Sequence, residues 1–313
     1  MHYLDKARAI IAERKKRMDV LSTFKEAVER HQKENAAMTT KHENGLLHER
    51  TLLTPQLASE LMQLNRANRR INPQHVDNIS RDIIDGRWLY NADPIRISKS
   101  GDMIDGQHRC SAVIQSGIAV EVMIVRGFSD DIVKTVDSNR ARSLGDHLHF
   151  HGEYNTNALA ATISWFFRWE RNMLSQGYSR TPTKSEAETI LNSNPKLRDS
   201  VKFVVSNSAC RHLGCGSFLS CLHYIASEYG HEEKVNDFIE KLATGNMLNN
   251  NSPVLRLREV LFKNKIARRK MKTHHVNALV IKAWNKFFKG ETCGQLKYTD
   301  EGSAGEKYPD ILV

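Results

Sequence analysis

Cysteine is scarce. The five present, Cys110, Cys210, Cys215, Cys221 and Cys293, form an odd and scattered set. In a chain long enough to fold by burial alone, that set excludes a disulfide framework and predicts reduced thiols. Long apolar runs are missing too: none approaches the roughly 20 residues that a membrane helix needs. The opening stretch, MHYLDKARAIIAERKKRMD, interleaves charge with apolar side chains and has neither the unbroken apolar segment nor the small-residue cleavage site of a secretory signal. A cytoplasmic protein is expected. The chain also lacks an internal repeat, a low-complexity tract and a C-x2-C pair of the zinc-module type. Acid is in deficit, with 36 Asp and Glu against 46 Lys and Arg, a formal net charge of +10. That excess biases the surface toward polyanions, nucleic acid foremost.

What is present suits two packed units with extensions. From Tyr3 to about Asn35, Leu4, Ile10, Ile11, Met18, Leu21, Phe24 and Val28 recur at helical spacing and predict an accessory helix. The polar stretch between Glu34 and Glu49 reads as a linker. Short alternating elements follow. Thr54-Pro55 and Asn72-Pro73 each start a helix, PIRIS (94–98) and Met103-Ile104 read as strands, a helix runs from about Gln107 to Gln115, and AVEVMIVR (119–126) is the clearest strand. Beyond His151 the pattern is almost entirely helical, with Trp165, Phe166, Phe167 and Trp169 as core and a tail without periodicity from Glu291. The expected fold is α+β: an N-terminal extension (1–46), a small α/β domain (47–150), an all-helical domain (151–290) and a tail (291–313).

Chemistry concentrates where a strand meets a helix through Asp105-Gly106-Gln107-His108-Arg109. The first N–H groups of a helix lack intrahelical partners and the positive end of its dipole faces the turn, so an anion suits that place. Glycine removes the side chain that would hold a phosphate away from the backbone, and His108 and Arg109 can add charge-assisted hydrogen bonds. A plain glycine turn with a solvated arginine is the alternative.

The stretch GRWLYNADPIRISKSGDMIDGQHRCSAVIQSGIAVEVMIVRG resembles the ParB/sulfiredoxin superfamily, especially its DGQHR-type, phage-encoded "ParB-like nuclease" branch. The resemblance covers about a third of the chain, Leu52 to Leu148. It implies a nucleoside-triphosphate site for CTP or ATP with Mg²⁺. In ParB proteins the matching loop reads G-E-R-R-x-R-A and holds phosphates, and Gly106, Gln107, His108, Arg109 and Ala112 fall on its G, E, R, R and A. Gln107 replaces the acidic residue and Ser111 the last arginine of that loop, which leaves hydrolysis and base preference open. Sulfiredoxin carries its nucleophilic cysteine where Gln107 stands, and Cys110 lies on the next turn, so sulfinic-acid reduction is set aside. A second ParB motif, E-N-x-x-R-x-D-L, is echoed from Ser138 to Leu144; by resemblance Asn139 would help hold Mg²⁺ and Arg142 a phosphate. A solvated loop over Asp137–Arg142 is the other reading. Asp105 and Gln107 are the candidate catalytic residues.

The run Lys263, Lys265, Arg268, Arg269, Lys270 and Lys272 suits contact with a DNA backbone, and Arg66, Arg69 and Arg70 with the Arg14–Arg17 cluster add further basic patches. Solvated helix faces are the competing reading. His147, His149 and His151 would share one face as metal ligands only on a strand, whereas the local pattern is that of a helix end. Cys210, His212 and Cys215 lack the spacing of familiar zinc modules and suit packing. The leading expectation is a nucleotide-dependent, DNA-associated protein: a regulator, a homodimeric partition-type clamp or the partner of a DNA-modifying enzyme. A small-molecule kinase using Asp105 or Asp93 as base, and a nuclease, are the alternatives.

Overall fold

The computed structural model describes residues 40–41, 45–66, 68–134, 143–176, 180–207, 209–210, 213–299 and 305–313. The fold is α+β, and the chain divides into two compact units at 140/141. The accessory helix expected before residue 36 lies outside the described residues.

In the first unit the strands are β1 (Thr40–Lys41), β2 (Leu47–Leu53), β3 (Pro94–Ser98), β4 (Met103–Asp105) and β5 (Val120–Phe128), in the order β1-β2-β5-β3-β4. β2 runs antiparallel to β5, from Leu47 opposite Arg126 to Leu53 opposite Val120, whereas β3 runs parallel to β5. A parallel pair needs a crossover, and here β4 and helix α3 (Gln107–Ser116) supply it. Helices α1 (Pro55–Met62) and α2 (Pro73–Ile84) both pack on α3. Their starts are set locally: Thr54 Oγ1 accepts from Leu57 N at 3.1 Å and Asn72 Oδ1 from Gln74 N at 3.0 Å, each with proline at the first helical position. Alternation along β5 turns Val120, Val122 and Ile124 into a core shared with Ile95, Ile97, Leu61, Val76, Cys110 and Val113.

β2 corrects the linker reading, which ran to Glu49. LHERTLL carries charge at its centre, and only Leu53 is fully enclosed, so the strand is held by its ladder to β5 rather than by an apolar face.

The second unit is helical: α4 (Leu144–Phe150), α5 (Thr156–Glu170), α6 (Lys184–Ser193), α7 (Leu197–Ser206), α8 (Gly216–Glu228), α9 (Glu232–Thr244), α10 (Pro253–Ile266) and α11 (Thr273–Lys289). Helix α4 packs on α5, so it belongs with this unit rather than with the α/β domain. Trp165, Phe166 and Phe167 are buried, as their crowding on one helix requires, and Trp169 packs at the edge of the same core. The aperiodic C-terminus is part of that core: Cys293, Leu296, Tyr298 and Tyr308 are buried, and Trp284 Nε1 donates to the carbonyl of Leu312 at 2.8 Å. No helix among the described residues is long and apolar enough to cross a membrane.

Candidate functional site

The turn stands where sequence places it, between β4 and α3, with Gly106 as the N-cap residue in the left-handed region at φ 113°. Its surroundings differ from the expected open corner. A Cβ on Gly106 would lie 2.8 and 2.9 Å from the Cγ1 and Cγ2 atoms of Ile95 on β3, so the missing side chain makes room for the core of the sheet rather than for a phosphate. Glycine is demanded here twice, by backbone angle and by that contact.

Gln107 and His108 point inward. Gln107 is 4 % exposed; its amide nitrogen donates to the carbonyl of Arg69 at 3.0 Å, and its Oε1 accepts from Asn65 Nδ2 at 3.1 Å. His108 is also buried, and its Nε2 accepts from the main-chain N–H of Asn72 at 3.0 Å, which assigns the ring proton to Nδ1. Asn68 Nδ2 adds a bond to the carbonyl of Met103 at 2.6 Å. The two polar side chains of the turn therefore act as struts that fasten the α1–α2 connection across the start of α3. Neither is a phosphate ligand in this arrangement.

Arg109 and Asp105 belong to an ion network. Arg109 donates to the carbonyls of Asp93 and Pro94, the latter at 2.8 Å, and its Nη2 lies 3.2 Å from Asp105 Oδ2. Arg96 meets the same carboxylate oxygen at 2.5 Å, while Asp105 Oδ1 accepts from Gly106 N at 2.7 Å. Asp93 closes the network, 3.4 Å from Arg109 and 3.5 Å from Arg96. Two guanidiniums face two carboxylates, so the charge of Arg109 is already offset, and both oxygens of Asp105 are engaged. Asp105 thus holds the turn in shape; as a general base it would have to leave these donors first.

What the struts position is more telling than the struts. Arg69 and Arg70 lie on the connection that Gln107 and His108 pin down, both exposed. The ring of His75 packs edge-on to that of His108, centroids 5.0 Å apart. Loss of water around the ring, and then the Arg69 charge, hold His75 below the ordinary imidazole range. The positive charge of Arg69 is therefore felt at His75, in the first turn of α2, whose ring meets that of His108 on α3. In sequence Arg69 and Arg70 read only as a general basic patch. The signal that could have found them is Asn72-Pro73, which sets a helix start close behind them.

Asn139 and Arg142, the residues implied for Mg²⁺ and phosphate by resemblance, lie outside the described residues, as do Arg14–Arg17 and His212. In the helical unit, Lys263, Lys265, Arg268, Arg269, Lys270 and Lys272 are all exposed, along the last turn of α10 and the connection to α11. Lys270 is spoken for: its Nζ donates to the carbonyls of Asn264, at 3.0 Å, and Lys265, closing the C-terminus of α10. Between these cations Ile266 stands 85 % exposed. All five cysteines are free and buried. Burial pushes the thiols of Cys110 and Cys215 up to about 12 and that of Cys210 to about 11, so these three are packing groups and not nucleophiles. Comparison with protein-family models, with curated proteins and with solved structures finds no match for this chain.

Proposed function

We propose that the α/β unit is a nucleotide-binding module of the ParB/sulfiredoxin kind, and that its triphosphate seat is built from the start of α3 together with the guanidiniums of Arg69 and Arg70. The observation that carries this reading is the set of hydrogen bonds from Asn65 to Gln107, Gln107 to Arg69 and Asn72 to His108, which fastens an arginine-bearing segment beside the first turn of a helix. A helix start with two exposed guanidiniums on a main chain fastened beside it offers groups that suit a phosphate. Mg²⁺ would arrive on the nucleotide, held chiefly by phosphate oxygens and water. The exposed cations at the end of α10 serve as the DNA contact, with Lys270 shaping the tip and Lys263, Lys265, Arg268, Arg269 and Lys272 facing phosphates. The kinase alternative loses one of its two candidate bases, since Asp105 is engaged by two arginines and its own turn.

Calorimetry with ATP, CTP and GTP in Mg²⁺ tests the seat. At least one triphosphate should bind the wild-type chain, and the double change Arg69→Ala and Arg70→Ala should weaken it at least tenfold while the circular dichroism spectrum stays unchanged. Equal affinity in the double variant would overturn the assignment.

A further inference from the structure

The three histidines near residue 150 occupy a helix and its end, not a strand, and this changes which of them can act together. His147 lies in α4 and His151 is the residue that ends it, four positions on, so both project from one face. His149, two positions from each, is turned well away and is exposed. Opposite His147 and His151 stands Glu188 of α6. His147 Nε2 is 2.8 Å and His151 Nε2 3.3 Å from the same carboxylate oxygen, Oε1. The two imidazole rings meet edge-on with centroids 4.6 Å apart.

We propose that His147, His151 and Glu188 form a binding site for a divalent transition-metal ion of the zinc class, which fastens α4 to α6. All three ligand atoms lie within 4.8 Å of one another, and among the described residues this is the group of histidine, cysteine and carboxylate side chains so arranged. Around a tetrahedral ion at about 2.0–2.1 Å from each donor, ligand atoms stand roughly 3.3 Å apart. The two histidine-to-carboxylate separations, 2.8 and 3.3 Å, lie at or just below that spacing, and the two imidazole nitrogens fall within 4.8 Å of each other, so an ion enters once the side chains adjust around it. Binding releases whatever protons bridge the Nε2 atoms and the carboxylate.

Ligand chemistry sets the class of ion. Two imidazole nitrogens and one carboxylate oxygen are borderline donors that favour Zn²⁺ and its neighbours, whereas Mg²⁺ and Ca²⁺ prefer all-oxygen sets. His151 and Glu188 are half-exposed at 50 % and 43 % of the side chain, which leaves the remaining position to water.

The frame is held independently of the ion. α4 begins with a capping box between Ser143 and Asp146 and is anchored by buried Leu148; α6 begins with one between Thr183 and Glu186. A site supported in this way is preorganised rather than assembled by the metal.

The test is a titration of tag-free, full-length protein with ZnCl2, read by calorimetry, and with CoCl2, read by the visible absorption of tetrahedral Co²⁺. One equivalent should bind. His151→Ala and Glu188→Gln should each weaken it at least tenfold and remove the Co²⁺ absorption, with His149→Ala matching wild type. Glu188→Gln keeps the shape of the side chain, so a folding defect in one variant does not decide the result. Absence of zinc binding, or equal affinity in His151→Ala and Glu188→Gln, or an equal loss in His149→Ala, would overturn the site.

Discussion

Gly106 separates two accounts of the turn, one in which glycine admits a ligand and one in which it admits Ile95. Replacing it by alanine puts a methyl group 2.8 and 2.9 Å from the Ile95 γ carbons, where carbon contacts prefer about 3.5–4.0 Å. Overpacking of this kind costs about 1–3 kcal/mol. Holding alanine at φ 113° adds strain of about 1–3 kcal/mol. Gly106→Ala should therefore destabilise the α/β unit by roughly 2–6 kcal/mol. Ile95→Ala, at a fully buried position, costs about 2–5 kcal/mol alone. In the double variant the γ carbons are gone and only the Cβ of residue 95, 3.1 Å from the new methyl group, still crowds it, so most of the overpacking is relieved while the backbone strain of Gly106→Ala remains. The two changes should thus couple favourably by about 1–3 kcal/mol. Native-state hydrogen exchange on the amides of β3 and β5 reads the opening free energy of this unit within the whole protein. Strict additivity, or no loss in Gly106→Ala, would refute the packing explanation.

Three further outcomes are expected, one at the turn and two in the helical unit. Arg109→Ala strips donors from the carbonyls of Asp93 and Pro94 and leaves Asp105 with one guanidinium, and should lower the stability of the α/β unit by about 2–4 kcal/mol, measurable by the same exchange experiment. A solvated arginine would show no loss. Burial holds His223 below the ordinary imidazole range, against the opposing pull of its bond to Asn236. The unfolded chain then takes up the proton first, so stability from this group is full above about pH 6.5 and is lost as pH falls from there toward the folded-state value. Denaturation midpoints of the helical unit should fall across that window, and an unchanged midpoint would contradict the burial argument. DNA affinity should decline linearly with the logarithm of salt concentration, and Arg268→Ala with Arg269→Ala should reduce that slope by about 1–2. A slope unaffected by the pair would remove this tip from the interface.

Much of the scaffold is legible because local rules and tertiary packing agree. Thr54-Pro55 and Asn72-Pro73 start helices, the alternation of Val120, Val122 and Ile124 marks a half-buried strand, and Gly117 ends α3 in the left-handed conformation. Strand β2 is not legible, since Glu49 and Arg50 sit mid-strand and the ladder to β5, a distant partner, is what holds it. The tail is obscured for a similar reason: its burial depends on Trp284 and Lys282, which meet Leu312 and Glu306 only once α11 is in place.

The candidate site is legible in position and not in orientation. Strand, glycine turn and helix can be read from the order of residues. Which way Gln107 and His108 point depends on a segment some forty residues earlier supplying a carbonyl at Arg69 and an N–H at Asn72, and no local pattern carries that. The offset of Arg109 by Asp93 and Asp105 depends likewise on the pairing of β3 with β4.

The most direct measurement is hydrogen exchange with and without a saturating nucleoside triphosphate and Mg²⁺. Added protection should concentrate in the main-chain amides of Gln107 to Arg109 and in the segment carrying Arg69 and Arg70. Protection confined to other parts of the chain, or none at any triphosphate concentration, would contradict a phosphate seat at the start of α3.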